Sequence, residues 1–244
     1  MKRLIVLLFG ICASLIINAQ DINKEDILSH INSVRNDLTN SNANFYEDTL
    51  ISKTLSNLNK VDDFMNVLSK DSLRAILREN LVYDYQIEFI KLEIDTDKIY
   101  ENESYLINED KYLRAINDTA YNRLGILVEI DKSTTNIYLI FTKRYVDFDL
   151  NKEITVIPSV DGYIEALTVR ICGKSNIKDI FFSLVRDLKN SDIPIKNQLN
   201  LKSDNRFNIT IDITPYGESK EVKYRYLIIT DAENNIISIN QFYK

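Results

Sequence analysis

The chain has 244 residues, of which 30 are lysine or arginine and 36 are aspartate or glutamate, so its net charge is −6. Such an acidic balance argues against nucleic acid and anionic lipid as main partners. A single histidine excludes zinc sites built on two histidines, and five glycines that never cluster provide no phosphate-binding loop.

The N-terminus has the pattern of a secretory signal peptide. Two basic residues precede an apolar run over residues 4–17, which is shorter than the ~20 residues that span a bilayer. The run is followed by a cleavage-site pattern with a small residue, Ala19, before the cleaved bond. This pattern predicts that residues 1–19 are removed and that Gln20 becomes the first residue. The sequence therefore predicts a secreted or periplasmic protein with no membrane span.

Removal of the signal changes the charge and the cysteine content. It takes away two basic residues and no acidic ones, so 30 minus 2 basic side chains face 36 acidic ones, a net charge of about −8. Only Cys172 remains, so no internal disulfide forms and stability must come from core packing. A lipid anchor on Cys12 is the alternative, although Ile11 stands where a lipobox has a small residue.

Apolar spacing predicts three helices in the first eighty residues. The first follows an acidic turn at Glu25 and Asp26, which favours a helix N-terminus. The second covers residues 50–58, and the third surrounds Leu73 to Leu77 with Asp71 or Ser72 as its cap. The apolar stripe of the first helix consists of Ile27, Ile31, Val34 and Leu38.

The middle of the chain alternates as strands do. Residues 83–89 alternate, but the phase changes at Ile90, which either a bulge or a helix explains. The polar, acidic residues 95–110 indicate a surface loop. Residues 124–130 and 137–146 then predict a hairpin, in which Gly125 allows a close backbone approach.

The last hundred residues are mostly strand-like. Residues 206–213 alternate cleanly, and residues 222–242 predict a further hairpin. Residues 177–188 fit a helix better than a strand, and a strand stays open as the alternative. Because Pro158 and Gly162 interrupt the pattern, a domain boundary is predicted between residues 150 and 162, which gives domains over residues 21–150 and 151–244.

Five short segments of the first half resemble a known family. HINSVRNDL resembles the I-N-x-x-R helix with which that family's domain opens, and RENL resembles its G-E-N motif. NRLGILVEI resembles its v-G-i-g-v strand, and IYLIFTKRY resembles the strand that follows. EDTLISKTLSNL resembles the acidic, leucine-led helix between them. From Asp26 to Val146 the chain thus resembles the secreted CAP family, the cysteine-rich secretory and pathogenesis-related superfamily.

This resemblance implies an α+β chain with a CAP-like α-β-α sandwich followed by a β-rich domain. The second domain resembles the β-sandwich modules of secreted bacterial proteins, with an α+β domain as the alternative. The family's two pocket histidines would fall near Asn57 and near Tyr112 or Leu113, and Arg78 replaces the motif's glycine. Glu79 alone survives, so the resemblance implies a binding pocket of Glu79, Asn57, Tyr112 and Asn80 without catalytic or metal-binding residues.

Two other reactive side chains have ordinary structural explanations. His30 lies beside the apolar stripe of the first helix, where a histidine at the edge of the core is expected. Cys172 lies in an apolar strand, where a thiol is inert unless it is exposed in an electropositive setting.

The sequence favours a secreted, non-catalytic binding or interaction protein without a cofactor. Its expected partner is a protein, peptide or glycan in the cell envelope or extracellular space. The alternative is a cell-envelope hydrolase that uses Glu79 with water or a metal.

Overall fold

The computed structural model describes residues 24–40, 43–58, 69–95, 109–130, 134–149, 153–158, 164–188, 196–215 and 221–243. The predicted signal peptide and most of the predicted acidic loop lie outside these residues. Within them, 45% of the residues are in strands and 26% in helices.

The contacts divide the chain into two compact units. The first consists of Met1–Asn80 and Ile87–Lys143, and the second of Leu81–Gln86 and Arg144–Lys244. A six-residue segment between a helix and a strand of the first unit therefore belongs to the second. The strands on either side of residues 150–152, where the predicted boundary begins, both pair with one strand of the second unit.

In its described residues the first unit combines four helices with one four-stranded sheet. The sheet has the order β1-β3-β4-β2, in which β1 pairs with β3 in parallel and the other pairs are antiparallel. In chain order the elements are α1 (Lys24–Thr39), β1 (Tyr46–Glu47), α2 (Thr49–Leu58), α3 (Lys70–Glu79), β2 (Ile87–Asp95), α4 (Glu109–Asn117), β3 (Arg123–Ile130) and β4 (Thr134–Thr142).

The three predicted helices are confirmed, and a fourth was not predicted. α3 begins earlier than expected, because the Ser69 hydroxyl caps it by accepting a hydrogen bond from the Ser72 N–H at 3.2 Å. α4 begins inside the predicted loop at Glu109. Its core-facing stripe of Tyr112, Ala115 and Ile116 is short and lies among charged residues, so the pattern is weak.

The change of phase at Ile90 is neither a bulge nor a helix. β2 pairs with β4 without interruption from Ile87 opposite Thr142 to Asp95 opposite Thr134. Ile87 and Ile90 point to opposite faces of this strand, and both are buried. Apolar residues on both faces therefore produce the apparent change of phase.

The predicted hairpin of β3 and β4 is confirmed, and so is the role of Gly125. A Cβ atom on Gly125 would lie 2.2 Å from Cγ2 of Ile51, so α2 packs directly against the backbone of β3. Leu124 and Ile126 are fully buried, whereas Ile130 at the strand's end is 52% exposed.

The I-N-x-x-R segment has a structural role in the first unit. The Asn32 side chain exchanges two hydrogen bonds with the backbone of Phe45, at 3.1 and 2.7 Å. The guanidinium carbon of Arg35 lies 3.8 Å from the centre of the Phe45 ring, and Nη2 donates to the Asp118 carbonyl oxygen at 3.2 Å. Asn32 and Arg35 therefore both hold Phe45, the residue just before β1, against α1.

The part of the second unit that the structure describes contains two sheets. One has the order β10-β7-β5 with β6 also paired to β7, and the other has the order β12-β11-β8-β9. Side chains from both sheets share one apolar core. The strands are β5 (Val146–Phe148), β6 (Glu153–Pro158), β7 (Ile164–Ser175), β8 (Ile180–Val185), β9 (Asn197–Gln198), β10 (Arg206–Asp212), β11 (Tyr226–Asp231) and β12 (Ile236–Gln241).

The strand over residues 206–213 and the final hairpin are confirmed, but the helical interpretation of residues 177–188 is wrong. This segment contains β8, which pairs antiparallel with β11 and with β9. Ile180, Phe182 and Leu184 face the core, while Phe181 and Val185 point to the other face. A strand that is apolar on both faces loses its alternation and imitates a helix.

The predicted fold class is therefore wrong. The described residues are mostly β-structure, with four helices and three mixed or antiparallel sheets, and do not form a clear CAP-like α-β-α sandwich. The β-rich character of the second unit is compatible with the predicted β-sandwich. The α-β-α sandwich was implied by the CAP resemblance alone, whereas the apolar residues on both faces of β8 explain only why residues 177–188 were predicted to be helical.

Candidate functional site

The four residues of the predicted pocket have different surroundings. Tyr112 is 1% exposed and belongs to the core of the first unit, where burial raises the pKa of its hydroxyl well above the usual range. Asn57 and Glu79 are exposed near the ends of α2 and α3. Burial thus gives Tyr112 a packing role, while ligand binding by the other three stays a prediction.

Asn80 ends α3. Its backbone N–H and its side-chain Nδ2 both donate to the Ile76 carbonyl oxygen, the latter at 2.9 Å. Leu81 follows with a positive φ of 67°, which reverses the chain after the helix. The amide of Asn80 is therefore engaged in capping.

A cleft of about 330 Å³ lies beside α4 in the first unit. Lys111, Arg114 and Ala115 of the helix line it, together with Asp118 just after the helix end. Its two carboxylates are engaged by lysines, because Glu88 lies 2.7 Å from Nζ of Lys70 and Asp118 lies 2.6 Å from Nζ of Lys143. These ion pairs do not form the separated acid and base that hydrolysis requires.

The second unit has a larger cleft, of about 460 Å³, over the solvent face of the β10-β7-β5 sheet. We call it the basic cleft, because four cations line it against two carboxylates, Asp147 and Asp149. The cations are Arg170, Lys174, Lys202 and Arg206.

Strand alternation brings these cations together. On β7 the side chains of Arg170, Cys172 and Lys174 point to solvent, since the alternate residues Val169 and Ile171 are buried. On β10, Arg206 lies directly opposite Lys174, and Asn208 lies opposite Cys172. Directly opposed side chains in a sheet have Cβ atoms about 5 Å apart, so Lys174 and Arg206 can reach one anionic group together.

The floor of the basic cleft is apolar and tightly packed. A Cβ atom on Gly173 would lie 2.5 Å from Cζ of Phe207 and 2.8 Å from the Asp147 carbonyl oxygen. Phe207 is 2% exposed, and its ring makes an edge contact with that of Phe148 at a centroid distance of 6.0 Å. The floor therefore belongs to the core, and the charged side chains of the rim are the groups available to contact a ligand.

Two rim cations have acidic neighbours that are themselves exposed. Arg170 lies 3.2 Å from Glu153, and Arg206 lies 3.3 Å from Asp204. Exposed pairs contribute about 0–1 kcal/mol, so a ligand carboxylate can replace either acid at little cost.

The lone cysteine also lines this cleft. Cys172 is half-buried, a free thiol whose Sγ lies 3.6 Å from Oδ1 of Asn208. His30 is half-buried on α1 in the other unit, where burial lowers its pKa and keeps the imidazole neutral near pH 7. The two residues therefore belong to different units.

The sequence interpretation missed the basic cleft, although a signal was present. Arg170 and Lys174 share the polar phase of β7, and Arg206 begins the polar phase of β10. The missing information was the pairing of two strands that lie more than thirty residues apart, which a single sequence does not contain.

Among the described residues, no three histidine, cysteine or acidic side chains are grouped as a metal site would need. No helix in those ranges has the length and apolar character needed to cross a bilayer. Comparison of the sequence with family models and with curated proteins finds no match.

Proposed function

We propose that this chain is a secreted, non-catalytic binding protein whose basic cleft binds an acidic segment of a protein partner. The observation that carries the proposal is the convergence of four cations on one sheet face in a chain whose net charge is −6. The exposed Glu153 and Asp204 beside Arg170 and Arg206 offset part of this positive charge, so an anionic ligand binds by replacing these weakly held acids and by adding contacts to Lys174 and Lys202.

Carboxylates suit this rim better than other groups. The guanidinium groups of Arg170 and Arg206 offer planar pairs of donors that match a carboxylate, and Lys174 adds a point charge beside Arg206. An extended segment with several aspartates or glutamates can contact both arginines at once, at opposite ends of the cleft.

The ligand is proposed to be a peptide rather than an acidic glycan. Sugar recognition commonly uses an exposed aromatic face, on which a sugar ring stacks. The two phenylalanines of the cleft, Phe148 and Phe207, instead contact each other, and Phe207 is 2% exposed. The exposed lining consists of charged and amide groups, which match the side chains and backbone of a peptide.

The proposal does not rest on the CAP resemblance, which remains a prediction. The alternative of a hydrolase built on Glu79 gains no support from the geometry, because this residue is exposed near the end of α3. A binding function at the basic cleft therefore explains more of the described residues.

The cleft should lose affinity when its central cations are removed. With a fluorescent oligoglutamate peptide as the probe, we expect Lys174→Ala with Arg206→Ala to weaken binding at least about tenfold, because both side chains contact the same carboxylate. Fluorescence anisotropy at low and high salt measures this loss. Binding should also weaken with salt, since exposed charges are screened within about 10 Å at 0.1 M.

A matched control is available in the same unit. Lys178 and Arg186 are exposed cations outside the basic cleft, so Lys178→Ala with Arg186→Ala removes the same two charges and should leave the affinity unchanged. Equal losses in the control and in the double variant would show nonspecific attraction and contradict the proposal. Tighter binding of an acidic polysaccharide than of the peptide would reassign the ligand class.

Export makes a separate prediction. Mass spectrometry of the secreted protein should give Gln20 as its first residue, because the apolar run over residues 4–17 precedes a small-residue exit at Ala19. A mature chain that begins at a lipidated Cys12 would contradict the proposed cleavage, without bearing on the cleft.

A further inference from the structure

The strand β6 is unusually exposed for its composition. All six of its residues are exposed, and they include three large aliphatic side chains. Ile154 is 57% exposed, Val156 is 52% exposed and Ile157 is 49% exposed. Solvent-facing residues of a strand are usually polar, so this pattern needs an explanation.

β6 also forms an edge of its sheet. Within the part of the chain that the structure describes, it pairs with β7 alone, from Glu153 opposite Arg170 to Pro158 opposite Ile164. An edge strand presents unpaired N–H and C=O groups, and proteins usually protect such edges with charges. Glu153 is the only charged residue of β6, and Pro158 blocks only the far end.

The apolar, core-facing side of the sheet continues from β7 onto β6. Ile154 pairs with Val169 and Val156 pairs with Leu167, so the side chains of each pair point to the same face of the sheet. Val169 is fully buried and Leu167 is 8% exposed. A further strand beside β6 would therefore extend both the hydrogen-bonded ladder and the apolar face.

We infer that the outer edge of β6 pairs antiparallel with β6 of a second copy of this chain. Centred on Thr155, a twofold pairing places Ile154 opposite Val156 of the other copy and Glu153 opposite its Ile157. No like charges face each other in this register, and the β-branched pairs suit a sheet. In this register two copies of β6 can therefore pair without a charge clash.

The dimer should be weak and should strengthen with salt. Five paired residues bury less than the 1,200 Å² or so of a standard stable interface. Two copies of this acidic chain repel each other, and salt screens this repulsion. Binding at the basic cleft has the opposite salt dependence, so the two sites can fail independently.

Sedimentation velocity over a wide concentration series tests the inference. The weight-average mass of the wild type should rise with concentration towards twice that of one chain. Ile154→Lys with Val156→Lys should weaken dimerisation at least about tenfold, because like charges then face each other in the paired register. Ile130→Lys changes an equally exposed isoleucine in the first unit and should leave the association unchanged.

A charge-swap experiment distinguishes lost pairing from lost folding. Ile154→Glu with Val156→Glu should also remain monomeric alone, but an equal mixture with the lysine double variant should form heterodimers, since opposite charges then face each other. A wild type that stays monomeric at every concentration and salt, or a dimer that the lysine double variant retains, would overturn the inference.

Discussion

Replacing Asp84 with asparagine should destabilise the second unit by about 3 kcal/mol, because it removes the buried carboxylate that accepts hydrogen bonds from a largely buried arginine. The Asp84 carboxylate is 4% exposed and accepts hydrogen bonds from Nε of Arg144 at 3.1 Å and from Nη2 at 2.9 Å. Arg144 is 16% exposed, and Asp147 at 3.9 Å is a poor substitute.

The position of Asp84 makes this pair important. It lies in the six-residue segment that joins the second unit across a long sequence separation. The same segment forms an isolated bridge between Asp84 and Ser238, and the Tyr83 carbonyl oxygen accepts from the Ser238 hydroxyl at 2.9 Å. Loss of the ion pair should therefore weaken the attachment of the whole segment.

Urea denaturation followed by tyrosine fluorescence and circular dichroism measures the loss, since the chain has no tryptophan. Glu153→Gln is the matched control, because it breaks an exposed arginine pair and should cost less than about 1 kcal/mol. Asp84→Leu combined with Arg144→Met should recover most of the stability, as apolar replacements of buried pairs often do. Equal effects of Asp84→Asn and Glu153→Gln would contradict the assignment.

Arg35→Ala should destabilise the first unit by about 3 kcal/mol, because it creates a cavity beside Phe45. Arg35 is 0% exposed and is among the largest fully buried side chains. The substitution also removes the contact with the Phe45 ring and the hydrogen bond to the Asp118 carbonyl oxygen.

The substitution Arg35→Met distinguishes the contribution of side-chain packing to stability from that of the positive charge. Methionine keeps the volume of the side-chain stem, and Nε and Nη1 of Arg35 have no hydrogen-bond partner among the described residues. Burial lowers the pKa of this guanidinium, which means that the fold disfavours its charge. The same denaturation experiment should give a cost below about 1 kcal/mol, and a cost as large as that of Arg35→Ala would show that the charge itself is needed.

Much of the fold could be predicted from local pattern. Helices with a one-sided apolar stripe, such as α1, and strands with strict alternation, such as β10, bury one face and therefore reveal their period. β2 and β8 are apolar on both faces, so their period is hidden, whereas the fold class was wrong because the CAP resemblance implied an α-β-α sandwich.

The candidate site was harder to predict than the fold. The resemblance directed attention to Tyr112, which belongs to the core, whereas the residues of the basic cleft lie on β7 and β10. Lys174 and Arg206 meet only because these strands pair in one register, and neither residue is unusual in its local sequence. Arg35 offered a better signal, since it occupies a core-facing position four residues after Ile31.

Chemical-shift mapping with ¹⁵N-labelled protein tests the central proposal most directly. Titration with the oligoglutamate peptide should shift the backbone amides of Arg170, Gly173, Lys174, Arg206 and Asn208 in one saturable process. The same titration of the Lys174→Ala, Arg206→Ala variant should leave these amides nearly unchanged. Saturable shifts centred instead on Lys111 and Arg114 of the other cleft, or shifts that spread over the surface without saturating, would contradict the basic cleft as the binding site.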